Sequence, residues 1–265
     1  MDGILLLDKP LGITSFQAIA KIRKKFNIKQ VGHAGTLDPE ASGLLIVMLG
    51  RVCKLARYAE ASTKVYEGTI RLGVTTDTDD LAGEVIAKSA VPDLDLSKIK
   101  EIIKQKFLGE IMQLPPRYSA LKINGKRAYD LARSGVEFEL KTRAITVYSF
   151  EIDIVAPNEL SFQIACSKGT YIRSIARDLG QMLDCGGALA SLRRTVSGQY
   201  DVSSAKTIDN ASVEDVMPWE SLFADVPRVE VTEDIASKLK NGSKEALSAL
   251  MQEQAAQLEL SLIHI

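Results

Sequence analysis

One loop of the sequence combines residue types that could carry out chemistry. Residues 32–44 read Gly-His-Ala-Gly-Thr-Leu-Asp-Pro-Glu-Ala-Ser-Gly-Leu, with Asp38 at the centre among glycines and small residues. Glycine allows the backbone to come close to a neighbouring group, and Pro39 biases Asp38 toward an extended conformation. A carboxylate held in this way could act as a nucleophile or as a general base. Asp before Pro is also common turn chemistry, so residue types alone favour a structural role.

The elements around this loop are predicted from the periodicity of apolar residues. The continuous apolar run Leu44–Leu49 predicts a buried strand that would hold the loop rigid. Ile4–Leu7 predicts a second short buried strand. Thr14 or Ser15 can cap a helix that runs through Phe26. The loop is therefore expected to leave one buried element and enter another.

The rest of the chain predicts an α+β fold. Lys64–Gly73 alternates as a strand does, and Ile145–Val155 and Leu160–Cys166 predict an antiparallel hairpin. Ser97–Leu108, capped by its first residue, and Tyr171–Leu183 predict amphipathic helices. Hairpins with few β-α-β alternations indicate a mixed, largely antiparallel central sheet with flanking helices.

Composition excludes several classes of site. The 265 residues carry a formal net charge of −1, so any surface that binds nucleic acid must arise from local clustering. Cys53, Cys166 and Cys185 form no Cys-x-x-Cys pair, and His33 and His264 are the only histidines. These counts argue against a disulfide scaffold and against a histidine- or cysteine-based metal centre. The sequence also has no phosphate loop and no dinucleotide fingerprint.

Two further stretches carry expectations about location and metal binding. The longest uncharged apolar stretch, Gly43–Gly50, is too short to cross a bilayer, and the N-terminus is not of the signal-peptide type. The sequence therefore predicts a soluble, cytoplasmic protein. Leu72–Asp80 is acidic but lacks the spacing of a calcium loop, and we predict that it is a solvated turn.

The wording of the Asp38 loop resembles a known motif. Gly-His-Ala-Gly-Thr-Leu-Asp-Pro-x-Ala-x-Gly-Leu is similar, without gaps, to the catalytic motif of the TruB-type tRNA pseudouridine synthases. The resemblance extends in one register from about Ile4 to Trp219. It implies the pseudouridine synthase catalytic fold, and it implies that Asp38 is the indispensable catalytic residue.

Other positions match further motifs of the family. The resemblance implies that Lys9 supports the active site, that Tyr66 stacks on the target base and that Leu192 packs beneath it. It also implies that His33 lies against the displaced T-loop stack and that Arg173 pairs with the catalytic acid. Without the flanking Lys64-Val65, the residues alone would favour an ordinary core aromatic for Tyr66, and a helix-borne arginine is normally a surface residue.

A basic segment at about residues 115–140 resembles the insertion with which the family grips the T-loop arm of tRNA. Cations beside an aromatic residue suit backbone contact and base stacking. The residues that the resemblance implies for this contact are Lys122, Lys126, Arg127 and Tyr129.

The implied activity is the isomerisation of uridine 55 in the T loop. The bond from ribose C1′ to uracil N1 breaks and the base is rejoined through C5, so nothing is oxidised and no group is imported. The implied reaction therefore needs no cofactor and no metal, which agrees with the absence of a phosphate loop and a dinucleotide fingerprint. The carboxylate could attack covalently at C1′ or at the uracil ring, or act as a base at C2′. Each route needs an ionised Asp38, and a paired Arg173 favours the charged form when the base excludes water.

The domain organisation follows from the same resemblance. Residues 1–222 are predicted to form the catalytic domain, and residues 223–265 resemble the opening of a PUA RNA-binding domain that is truncated or diverged. Lys244–Leu260 is predicted to be helical. We expect a monomer that acts on the tRNA T-arm with no obligatory protein partner and no membrane. A guide-RNA-dependent, dyskerin-type synthase and a catalytically idle tRNA chaperone are the alternatives.

The last six residues, Leu260–Ile265, switch abruptly to an apolar tail. They can be encoded by the end sequence of a transposon used to prepare sequencing libraries. The tail is either read-through of such an adapter or the genuine C-terminus of a protein with a reduced PUA domain.

Overall fold

The computed structural model describes residues 1–60, 63–119, 121–123, 125–224, 226 and 229–255. The chain divides into two compact units, Met1–Leu222 and Phe223–Ile265. The described strands all belong to the first unit: β1 Gly3–Lys9, β2 Val31–Ala34, β3 Ala41–Leu49, β4 Thr63–Leu72, β5 Val74–Thr76, β6 Val85–Lys88, β7 Gly109–Gln113, β8 Lys122–Ile123, β9 Lys126–Arg127, β10 Arg143–Ala156, β11 Glu159–Ser167, β12 Gly187–Ser197 and β13 Tyr200–Asp201.

Both units contain helices. The α-helices are α1 Ser15–Lys25, α2 Ala56–Ala59, α3 Leu96–Lys106, α4 Ala128–Arg133, α5 Ile172–Met182, α6 Glu233–Lys240 and α7 Lys244–Ala255. Short 3₁₀ helices span Gly50–Leu55, Val202–Ser204, Val213–Asp215 and Trp219–Phe223. Within the residues described, no helix has the length and apolar character needed to cross a membrane.

One large sheet organises the first unit. Its strand order is β1-β3-β12-β4-β11-β10-β7, with β2 also paired to β3 and β13 to β12. β3 and β12 run parallel, and the other strand pairs formed by the described residues of this sheet are antiparallel. β12 therefore lies between the strands of the first 49 residues and those that begin at Thr63. The predicted α+β class with a largely antiparallel sheet is confirmed.

The continuous apolar run in β3 is explained by burial on both faces of the sheet. Leu45, Val47 and Leu49 pack into the larger core with α1, α3 and α5. The alternate residues of the strand, Leu44, Ile46 and Met48, pack into a smaller core on the opposite face. A strand covered on both sides has no solvent-facing positions, so apolar and polar residues do not alternate along it.

Of two predicted helix caps, the structure confirms one and contradicts the other. Thr14 caps α1 and forms a reciprocal capping box with Gln17, as the sequence predicts for Thr14. The predicted cap at Ser97 is wrong. The carboxylate of Asp95 accepts hydrogen bonds from the backbone N–H groups of Ser97 and Lys98 at 2.9 and 3.4 Å, so α3 begins one residue earlier.

The second unit is helical where it is described. α6 and α7 contact each other, and the predicted helix after Lys244 is confirmed as far as Ala255. The apolar tail Leu260–Ile265 lies outside the described residues. The relation of this unit to a PUA domain stays a prediction.

Candidate active site

The Asp38 loop joins β2 to β3 and is fastened to the start of α1. The Ser15 hydroxyl donates to the Leu37 carbonyl at 3.0 Å and accepts from the Leu37 N–H at 2.9 Å. The Gly12 N–H donates to the Pro39 carbonyl at 2.9 Å. These bonds fix the backbone on both sides of Asp38, whose side chain is 46% exposed. The loop therefore presents its carboxylate to solvent from a rigid base.

Gly43, at the end of the loop, has to be glycine. Its φ is +100°, and a Cβ there would lie 2.3 Å from the carbonyl oxygen of Arg194 in β12. The parallel pair of β3 and β12 can come together because this side chain is absent.

Arg173 holds the Asp38 carboxylate from the first turn of α5. Its Nη2 lies 2.9 Å from Asp38 Oδ2 and donates to the Tyr118 carbonyl at 3.0 Å. Its Nη1 donates to the Thr78 carbonyl at 3.0 Å, and its Nε lies 3.7 Å from Asp80 Oδ2. The Arg173 side chain is only 8% exposed. The guanidinium is thus fixed by two carbonyls and shared between two carboxylates.

The prediction of a solvated acidic turn before Asp80 is wrong. Asp79 and Asp80 expose only 11% and 15% of their side chains and face the arginines of α5. Arg177 Nη1 lies 3.0 Å from Asp79 Oδ2. Burial raises the pKa of Asp79, and the charges of Arg177 and Arg173 oppose that shift. The acids turn inward because two cations on one helix require partners there.

A cleft of about 150 Å³ opens beside this network. It brings together three of the predicted site residues, Asp38, Arg173 and Leu192, and Asp80 also lines it. The full lining consists of Asp38, Glu40, Ala41, Asp80, Leu81, Ala82, Arg173, Leu189, Ala190, Ser191 and Leu192. A carboxylate facing leucine side chains suits a flat ring that carries a polar group on one edge.

Tyr66 lies outside this cleft lining in the larger core. The residue is 8% exposed, and it stands opposite Arg194 in the pairing of β4 with β12. Burial raises the pKa of the Tyr66 hydroxyl, and the Arg194 charge opposes the rise. Its predicted stacking on a base stays a prediction.

Lys9 and His33 lie behind the loop and do not line the cleft. Lys9 is fully buried and donates from Nζ to the carbonyls of Pro10 and Ile13 at 2.8 Å each. Burial lowers the pKa of Lys9 to about 8, against the opposing charge of Asp38. Burial, followed by the charge of Arg194, lowers the pKa of His33.

The predicted tRNA-gripping segment is a small hairpin followed by a helix. β8 and β9 pair through their backbones, and α4 follows directly. Lys126 and Tyr129 are exposed, and Arg133 stacks over the Tyr129 ring at 5.4 Å while donating to its hydroxyl at 3.0 Å. The side chains of Lys122 and Arg127 lie outside the described part of the chain.

Comparison with known proteins decides the family. Residues 23–172 match the model described as "TruB family pseudouridylate synthase (N terminal domain)", and residues 173–226 match "tRNA pseudouridylate synthase B C-terminal domain". The chain belongs to the TruB family of pseudouridylate synthases. The family predicted from the Asp38 motif is therefore confirmed, and so is the prediction of an isomerase.

Individual TruB relatives cover most of the chain. A tRNA pseudouridine synthase B of Clostridium kluyveri is 42% identical over 246 residues, covering 91% of this chain and 84% of the relative. One of Geobacillus thermodenitrificans is 37% identical and covers 96% and 88%. Among solved structures, a chain of a Cbf5-Nop10-Gar1 complex is 27% identical with a TM-score of 0.69, covering 91% of this chain and 67% of that chain.

The sequence did not identify two residues, Asp80 and Arg194, that contact the predicted site residues or their loop. Asp80 reaches Arg173, and the Thr-Asp-Thr stretch that precedes it was the available signal. Arg194 directly follows Arg193 in the run Leu192–Thr195, and nothing in the sequence distinguishes the complete burial of Arg194 from the partial exposure of Arg193. The roles assigned to Asp38, Tyr66 and Arg173 stay predictions.

Proposed function

We propose that this protein isomerises uridine 55 in the T loop of tRNA to pseudouridine, acting alone on the T-arm in the cytoplasm. The observation that carries the proposal is the Asp38–Arg173–Asp80 network at the cleft wall. The TruB relatives named tRNA pseudouridine synthase B supply the substrate class. In this proposal residues 1–222 are the catalytic domain, and residues 223–265 are a truncated or diverged PUA segment.

Asp38 is the catalytic residue of the proposed reaction. Its carboxylate reacts at the sugar, as a nucleophile at C1′ or as a base at C2′, or attacks the uracil ring. The C1′–N1 bond breaks, a C1′–C5 bond forms, the C5 proton is lost and N1 gains a proton, so no oxidant or cofactor enters the balance. Arg173 keeps Asp38 ionised when the base displaces water from the cleft.

Asp80 limits how tightly Arg173 can neutralise the catalytic acid. Because the guanidinium also faces Asp80 at 3.7 Å and donates to two carbonyls, it cannot follow Asp38 if that carboxylate moves toward the substrate. A fixed countercharge of this kind orients the carboxylate and leaves it able to react with the substrate.

Binding of the flipped nucleotide is assigned to the remaining predicted residues. Unstacking a base costs a few kcal/mol, and one aromatic platform returns about 1–3 kcal/mol. We assign stacking to Tyr66, packing beneath the base to Leu192 and contact with the displaced loop to His33. Lys9 supports the loop from behind. The T-arm contacts are assigned to Lys122, Lys126, Arg127 and Tyr129.

The deciding experiment measures tritium released to water from C5-labelled uridine. A bare T-arm transcript and the purified full chain should release it, with no other protein or RNA present. Asp38→Asn should abolish release while tRNA affinity stays within a few-fold, because phosphate contacts supply most of the affinity. Asp153→Asn, the same change at an exposed carboxylate of β10, serves as the matched control and should behave as wild type.

The outcomes separate the proposal from its alternatives. One similar solved structure is a Cbf5-Nop10-Gar1 complex, so a synthase that works only within a complex, such as the guide-RNA-dependent alternative, is the main rival. No release from the bare T-arm would refute the stand-alone proposal. Tight tRNA binding together with no release would instead indicate an idle chaperone. If Asp38→Asn keeps a tenth or more of the wild-type activity, Asp38 is not the catalytic residue.

A further inference from the structure

Arg194 is the largest fully buried side chain of the described residues, and it connects both ends of the catalytic loop. Its Nε donates to the Leu44 carbonyl at 2.8 Å, and its Nη2 donates to the Gly35 carbonyl at 2.9 Å. Gly35 directly follows β2, and Leu44 lies near the start of β3. One side chain of β12 therefore binds the chain before and after Asp38.

The charge of Arg194 is not explained by ion pairing. Among the described residues, no carboxylate lies within 4.0 Å of its guanidinium, and its Nη1 is buried without a hydrogen-bond partner. Burying an unpaired cation costs several kcal/mol. An apolar side chain would avoid that penalty but would leave the carbonyls of Leu44 and Gly35 without these donors, so the arginine is explained by what it binds in the loop.

The surroundings of Arg194 belong to the proposed active site. Tyr66 is its cross-strand partner in the antiparallel pair of β4 and β12, so the two side chains share one face of the sheet. Burial, followed by the charge of Arg194, lowers the pKa values of His33 on β2 and Lys64 on β4, and the same charge adds a smaller contribution to the burial that lowers the pKa of Lys9 on β1. Arg194 thus faces groups from three strands around the loop.

Gly35 is shaped for this contact. Its φ is +77°, and a Cβ at this position would lie 3.3 Å from Arg194 Nη1 and 3.5 Å from Lys64 Cε. A larger residue would be strained at this φ, and its Cβ would crowd the guanidinium by a few tenths of an ångström. Glycine at position 35 therefore leaves room for the Arg194 guanidinium and also allows the turn.

We infer that Arg194 is a positioning residue for catalysis, which ties both ends of the Asp38 loop to the strand opposite Tyr66 and so holds Asp38 and Tyr66 in register. This inference rests on the proposed function for its catalytic meaning, but the restraint on the loop is a property of the protein alone. Arg194 itself does not line the cleft.

Two measurements on the full chain test the inference. In Arg194→Met, amide hydrogen exchange of residues 35–43 should become at least tenfold faster, because both carbonyl contacts are lost. The single-turnover rate on tRNA should fall about 100-fold, the order expected for a misplaced reacting group, with Kd unchanged within twofold. Arg194→Lys, which can bind one carbonyl, should give intermediate values in both measurements.

The pH–rate profile gives a readout that a merely structural role would not move. Tyr66 faces Arg194 from β12, Cys166 from β11 and Asp38 from the loop, and Arg194 alone among these carries a positive charge. Removing that charge raises the pKa values of Tyr66 and Lys9, so the alkaline limb of the profile should move to higher pH in Arg194→Met.

The control and the contrary outcomes complete the test. Arg71→Met, on the same strand as Tyr66 but paired with Glu159 at the surface, should change neither exchange nor rate by more than twofold. Unchanged exchange of residues 35–43 in Arg194→Met would overturn the inference. Equal losses in the lysine and methionine variants, with an unshifted profile, would also overturn it. A wild-type enzyme without activity would refute the proposed function and leave the exchange test valid.

Discussion

Basic residues occur in two regions of the proposed site, and the surroundings of these residues differ sharply between the two regions. Around the Asp38 loop, Lys9, Arg173 and Arg194 are buried and donate to backbone carbonyls. In the segment after Pro116, Arg117 and Arg133 are exposed and lie over aromatic rings at 5.4 Å. Carbonyl contacts fix a cation in one geometry, whereas an exposed cation can reorient toward a phosphate.

The difference separates positioning from binding. Buried charges are screened little by salt, so their effect should be nearly independent of ionic strength. Exposed lysines and arginines bind phosphates by releasing counterions, and that affinity falls steeply with salt. We therefore expect changes in the buried region to alter rate constants and changes in the exposed region to alter affinity.

The largest difference between the two regions is expected when an arginine in each is replaced by lysine. Arg173→Lys loses the planar fork that binds Asp38, Asp80 and two carbonyls at once, and its single-turnover rate should fall about 100-fold or more. Arg133→Lys, in the exposed region, should keep the rate within threefold. Similar losses in the two variants, measured on saturating tRNA, would contradict the division.

Tyr66 tests whether a residue of the buried region also touches the substrate. If its ring stacks on the base, Tyr66→Phe should retain much more single-turnover activity than Tyr66→Leu, by at least tenfold. If the hydroxyl beside Arg194 takes part in proton transfer, both variants should be equally inactive. Full activity of Tyr66→Leu would leave the residue as a core aromatic, and thermal unfolding of both variants controls for lost packing.

Lys9 sharpens the comparison through stability instead of rate. Burial lowers its folded pKa to about 8 from an unfolded value of 10.5, so between these values the unfolded state binds more protons. Stability from this residue is therefore lowest below pH 8 and rises toward pH 10.5, by about 3 kcal/mol for the full interval. Denaturant unfolding should show this gain in wild type relative to Lys9→Met. Identical pH dependences would show that Lys9 titrates normally.

Lys126 should show the smallest effect and the clearest salt dependence. Lys126→Ala removes an exposed charge from the β8–β9 hairpin, and tRNA affinity should fall a few-fold at low salt, with the rate at saturation unchanged. The slope of log affinity against log salt should decrease by about 0.7–0.9 for one lost phosphate contact. An unaltered slope would place Lys126 outside the interface.

The fold was predictable where one local rule decided the structure. The apolar run of β3, the capping residue Thr14 and the β10–β11 hairpin each follow from local periodicity or turn chemistry, and all three are confirmed. The cap of α3 was misplaced because two neighbouring residues, Asp95 and Ser97, can both cap and the choice depends on backbone geometry.

The site was predictable only as far as its motifs are contiguous. Asp38 is recognisable within its own loop, and the pairing with Arg173 was implied by the resemblance and agrees with the 2.9 Å contact. The burial of Asp79 and Asp80 depends on arginines nearly a hundred residues away, and an acidic stretch alone reads as solvated. These ion pairs arise from tertiary packing, and the periodicity of the sequence does not predict them.

The place of β12 in the sheet has a consequence for biosynthesis. In the described residues, β3 and β4 are joined in the sheet through β12, so the loop before β3 and the strand of Tyr66 meet when residues 187–197 insert. Contacts of such sequence separation form slowly, and the strands emerging first from the ribosome keep unpaired edges until then. During translation the nascent enzyme is therefore both inactive and most prone to pair with another chain until residues 187–197 have emerged and inserted.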